Sequence, residues 1–161
     1  MNHEALAREM RELRERVPGI TDTAVAAADG MLIAADTADT IDPESLAAIA
    51  AAGLGIARRA TAVTARGAFR QTVTYGSQGL AAFYAVGDTA LMIVLGDEGI
   101  DLERLHEQTR PALGRIGAIL TGAGPDPLAG IPSEPDPLAG TPAPAPDALV
   151  GAVTDTATEG V

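Results

Sequence analysis

The sequence predicts an α+β domain over residues 1–121, a five-stranded antiparallel sheet with helices in the order α-β-β-α-β-β-β-α, followed by a disordered Pro/Ala-rich acidic tail over 122–161. Three observations predict it. Apolar residues recur at helical spacing in three capped stretches, short runs of strand character are separated by Gly-rich turns, and the composition shifts to Pro, Ala, Gly, Asp and Thr after Gly124.

The first helix is read from Leu6, Met10, Leu13 and Val17, which step by four, three and four between Glu and Arg residues, with Pro18-Gly19 ending it. Residues 20–28 and 31–35 then have strand character around Asp29-Gly30. That pair signals a tight hairpin, since both of its positions can take positive φ.

Asp42-Pro43-Glu44 opens the second helix, with Asp42 as N-cap, Pro43 at the first helical position and Glu44 in the first turn. It is expected to run to about Thr64. Gly53 and Gly55 each weaken such a helix by about 1 kcal/mol relative to Ala, which suggests that something approaches its backbone closely.

Three strands follow, at residues 69–75, 80–86 and 89–95, joined by short turns into a meander. Phe69, Gln71, Val73 and Tyr75 alternate with Arg70, Thr72 and Thr74, the pattern of an edge strand. Residues 91–95 are continuously apolar, the pattern of a central strand covered on both faces. Asp101 caps the last helix, whose stripe is Leu102, Leu105, Thr109, Leu113, Ile116 and Leu120, with a bend expected at Pro111. In the tail the pentapeptide Asp-Pro-Leu-Ala-Gly occurs at 126–130 and 136–140. It reads as a linker or as a short recognition segment.

Composition excludes several functions. A net charge of -11 without a basic run argues against nucleic acid, whose phosphates require clustered cations. All cationic side chains are Arg. Without Lys there is no Schiff base, no P-loop lysine and no Ser-Lys pair, and without Cys no disulfide, thiolate catalysis or zinc-thiolate site. The first sixteen residues lack a signal-peptide pattern, and the apolar run 46–57 is shorter than the roughly 20 residues that span a bilayer. A cytoplasmic protein without membrane insertion is expected.

The residues that could carry chemistry have plainer readings. His3 reads as a terminal and His106 as a helix-surface side chain, Ser77 as a turn residue, and Asp36, Asp39 and Asp42 as loop and cap residues, not as cation ligands. No catalytic, cofactor or metal residue is assigned.

The second helix shows two stripes. Leu46, Ile49, Gly53, Ile56 and Ala60 can cover the sheet, while Ala47, Ala51, Gly55 and Arg59 step by four along another face, where small residues let a second helix come close. Arg58, Arg59, Arg66 and Arg70 gather where this helix ends and the next strand begins. They suit the helix dipole or an acidic partner, an arginine finger being the sharpest form of the latter.

The sequence resembles the roadblock/LC7 domain family, in the bacterial branch found beside small GTPases. The resemblance rests on Val17-Pro18-Gly19-Ile20, the hairpin residues Asp29 to Ala34, Leu46-Ala47-Ala48, Gly53 to Ala57, Gln71-Thr72-Val73 and Val86 to Leu95. It implies a homodimer in which the second helices pair and the third strands join edge to edge. That would protect the strand carrying Phe69, Gln71, Val73 and Tyr75 from uncontrolled pairing. It further implies a non-catalytic regulatory or scaffolding partner of a Ras-like small GTPase. The alternative is a small-ligand sensor or an adaptor not tied to a GTPase.

Overall fold

A computed structural model describes residues 2–122. The tail from 123 onward and its repeated pentapeptide lie outside the described residues. Three helices and five strands follow in the expected order: α1 His3–Arg16, β1 Ile20–Ala27, β2 Leu32–Asp36, α2 Pro43–Val63, β3 Gln71–Gly76, β4 Gly79–Val86, β5 Ala90–Gly96 and α3 Leu102–Thr121. All strand pairs are antiparallel, in the spatial order β2-β1-β5-β4-β3. β5 is therefore central and β3 is an edge, as their apolar patterns predict.

The sheet has a helix layer on each face because side chains alternate along every strand. On one face Val25, Ala82, Tyr84, Met92 and Val94 meet Leu6, Met10 and Leu13 of α1 and Leu105 and Ile116 of α3. On the other face Ala24, Ala26, Phe83, Leu91 and Ile93 meet Ala47, Ala50 and Leu54 of α2. α1 and α3 also meet each other. There Arg115 Nε donates to Glu9 Oε2 at 2.8 Å, pairing the one nearly buried carboxylate on α1.

The helix starts are capped as expected. Asp42 accepts from Glu44 N and from the Ser45 hydroxyl, which holds its carboxyl below the usual carboxylate range. Asp101 accepts from Arg104 N at 3.0 Å, and Gly122 closes α3 with a left-handed φ of 67°. α3 runs through Pro111 without interruption.

The hairpin differs from expectation. The Asp29-Gly30 pair does not form a two-residue turn, since β1 ends at Ala27 and β2 starts at Leu32. Only Gly30 has positive φ, at 93°, while Asp29 turns the chain by accepting Met31 N at 3.0 Å. A bulge between Val25 and Ala26, which pair with Ala34 and Leu32, leaves Ile33 without a partner in the ladder, and beyond it the Met31 carbonyl accepts from Ala27 N at 2.8 Å while its side chain lies exposed.

Candidate functional site

Helix α2 covers the sheet with small residues and turns large ones outward. Ala47, Ala50 and Leu54 are buried, whereas Ile49, Ile56 and Val63 are 64%, 74% and 74% exposed. These three recur every seven residues, with Ala52 and Arg59 three positions after the first two, so together they form one seam of a/d type. The expectation that Ile49 and Ile56 cover the sheet is therefore corrected. Of the small stripe, Ala47 is buried against the sheet, Ala51 is half-buried, and Gly55 and Arg59 are exposed.

The physical reason lies in the strands beneath. Ala24, Ala26 and the Phe83 ring leave room for Ala and one Leu, and a helix apolar on nearly every side can turn either stripe inward. Gly53 faces the Phe83 ring at ordinary contact distance, 3.6 Å for an added Cβ, and Gly55 faces open space. Neither glycine is required by a close approach within this chain.

The helix continues past Arg58 and Arg59 to Val63. Among the described residues α2 is the one helix long and apolar enough to cross a membrane by length and composition. Only 17% of that stretch is buried, which measures how much apolar surface the fold leaves uncovered.

The strand β3 forms one of the two edges of the sheet, the other being β2. β3 pairs with β4 on one side, in the register Gln71↔Tyr84, Val73↔Ala82 and Tyr75↔Leu80, and with no described strand on the other. Val73 is half-buried and Tyr75 is 68% exposed. Phe69 packs partly under α2, and the Arg70 carbonyl accepts from Ala85 N at 2.9 Å, which extends the ladder by one step. Arg58 is tied down, donating through Nη2 to the Asp88 carbonyl at 3.0 Å, while Arg59, Arg66 and Arg70 are exposed.

His106 is not the plain surface side chain the sequence suggests. Its Nδ1 lies 2.9 Å from the Tyr84 hydroxyl, the rings meet edge to face, and the Gln71 amide lies 3.1 Å from Nε2. α3 is thereby linked to the first residue of the edge strand. Burial pushes the Tyr84 hydroxyl up to about 12, and the neighbouring Thr109 hydroxyl pulls weakly the other way. A helical pattern cannot reveal this contact, because it depends on β4 placing Tyr84 under α3.

Other polar residues singled out by the sequence serve the structure. Asp36 pairs with Arg14 at 2.9 Å, Asp42 caps α2, and Ser77 lies in the turn between β3 and β4. No group of three or more His, Asp or Glu residues that could hold a metal ion occurs among the described residues.

The Roadblock/LC7 domain family profile matches residues 6–96. The chain belongs to the roadblock/LC7 family. Its domain is 28% identical over 104 residues to an uncharacterized protein of Methanocaldococcus jannaschii, covering 65% of this chain and 90% of the relative. Among solved structures it resembles a Roadblock/LC7 domain from Streptomyces avermitilis, with TM-score 0.67 and 22% identity over 71% of this chain and 96% of that one. It also resembles Myxococcus xanthus MglB, with TM-score 0.70 and 15% identity over 76% and 99%. These likenesses establish the roadblock fold.

Proposed function

We propose that this roadblock/LC7 domain acts as a homodimer and as a non-catalytic regulatory or scaffolding partner of a Ras-like small GTPase in the cytoplasm. The observation that carries the reading is the exposed Ile49, Ile56 and Val63 seam on α2, next to a strand edge with unpaired backbone groups. Exposed apolar residues aligned along one helix face mark a protein contact, and an open edge strand needs a cover. A two-fold axis through both features serves each at once, because one copy supplies the matching helix and strand to the other.

The GTPase is the partner that the family resemblance implies, and the fold likeness to MglB, which includes a gliding protein of Thermus thermophilus and a tetrameric arrangement, supports that reading. Arg59, Arg66 and Arg70 at one end of the seam suit an acidic partner surface in a chain of net charge -11. The same charge disfavours nucleic acid. The apolar stretch of α2 fits a protein contact better than lipid, since its other face is held on the sheet and Arg58 is tied to the β4–β5 turn.

The test is to purify the protein with the Ras-like GTPase of its own cell and follow co-elution and GTP hydrolysis, with light scattering for the dimer. A complex or a changed hydrolysis rate is expected. No complex and no rate change with any such GTPase removes the GTPase reading, and a sample that stays monomeric when concentrated removes the paired-helix dimer.

A further inference from the structure

A cleft of about 710 Å³ runs around the end of the sheet, between α3, the start of β3 and the turn after β4. Its size lies within the roughly 300–1,000 Å³ of small-molecule sites. Phe69, Leu113 and Ala85 supply apolar wall, and Arg70 and Arg110 bring two guanidinium groups from positions 40 residues apart in sequence.

Part of the arginine charge is used within the domain. Arg14, Arg16, Arg58, Arg104 and Arg115 each donate to an acceptor within the domain. Among the described residues, the guanidinium groups of Arg8, Arg11, Arg59, Arg66, Arg70 and Arg110 make neither an ion pair nor a hydrogen bond, and of these Arg70 and Arg110 line this cleft together. Asp88 also lines it, and its carboxylate repels a second acidic group on any ligand.

We infer that this cleft binds a small amphipathic anion: an apolar body against Phe69 and Leu113 carrying one acidic head, carboxylate or phosphate, held by Arg70 and Arg110. Arginine suits both heads because its planar donors match two oxygens at once. Arg70 also belongs to the arginine group assigned above to an acidic partner, but the experiment below contains no GTPase, so either reading can fail without the other. The cleft can be filled in a protein that binds no GTPase, and the reverse.

The experiment records amide spectra of the full chain during titration with octanoate, octyl phosphate, 1-octanol and inorganic phosphate. Saturable shifts at Arg70, Ala85, Gly87 and Leu113 are expected with one or both amphipathic acids. Millimolar affinity suits ligands of this size. Whichever acid binds identifies the head group. Arg110→Gln, on the surface of α3, weakens binding about tenfold, the loss of one charge-assisted contact, while Arg8→Gln on α1 leaves it unchanged. No saturable shift, an equal response to 1-octanol or to inorganic phosphate, or unchanged binding in both Arg110→Gln and Arg70→Gln overturns the inference.

Discussion

Leu54 and Ile56 are two residues apart on α2 and point to opposite sides of it: Leu54 is 1% exposed over the sheet and Ile56 is 74% exposed. Substitutions at the two positions therefore separate stability from association. Leu54→Ala opens a cavity beside Phe83 and Ile93 and costs about 2–5 kcal/mol in chemical denaturation. Ile56→Glu changes the stability of a protomer by no more than about 0.5 kcal/mol. It places a charge in the seam, however, and light scattering at high concentration should show loss of the dimer. A dimer that survives Ile56→Glu shows that the seam is not the contact.

Burial of the Tyr84 hydroxyl, which lies 2.9 Å from His106 Nδ1, gives a pH signature. Tyr84 titrates near 12 in the folded chain against an ordinary 10.0, so the unfolded chain loses this proton first as pH rises. Stability from this group is complete below about pH 10 and is lost as pH rises toward about 12. In Tyr84→Phe this part of the alkaline loss is absent, at a cost of about 1 kcal/mol at neutral pH for the missing hydrogen bond. Melting curves between pH 8 and 12 of both proteins check it, and parallel curves would refute the assignment to Tyr84.

Two glycines respond to alanine with opposite signs. Gly79 has φ 145°, and an added Cβ would lie 2.1 Å from the Gly96 carbonyl oxygen, so Gly79→Ala forces β4 and β5 apart and costs about 3 kcal/mol or more. Gly55 sits in a helix interior with nothing within 4 Å, so Gly55→Ala stabilises by about 1 kcal/mol. Urea midpoints of the two variants should move in opposite directions.

Arg115→Ala leaves the Glu9 carboxylate nearly buried between α1 and α3 without its partner. A loss of about 1–3 kcal/mol is expected, largely recovered in the double variant with Glu9→Gln. A double-mutant cycle measures the coupling, and a zero coupling energy would show that the pair contributes nothing.

Much of the domain is legible from residue order. Leu6, Met10, Leu13 and Val17 all proved buried, since one polar and one apolar side leave α1 a single way to pack. The apolar run of β5 and the alternation of β3 marked center and edge for the same reason. In the candidate site, the edge residues Gln71, Val73 and Tyr75 lie on an edge strand as expected, but the sequence does not show which face of α2 turns inward. Ala47 went inward and Ile49 and Ile56 outward, because two apolar stripes on one helix have similar affinity for a sheet. The contact of His106 is hidden in the sequence because its partner Tyr84 is 22 residues away and on another element.

By itself, then, the sequence determined the elements, their order, the caps at Asp42 and Asp101 and the family likeness, all of which depend on neighbours within a few residues along the chain. The tertiary structure alone decided which side of α2 stays open, that His106 grips Tyr84, and that Arg70 and Arg110 share a cleft. Those outcomes depend on how the volumes of Ala24, Ala26 and Phe83 fit the helix above them. Packing of that kind is a property of the assembled layers, not of any one segment.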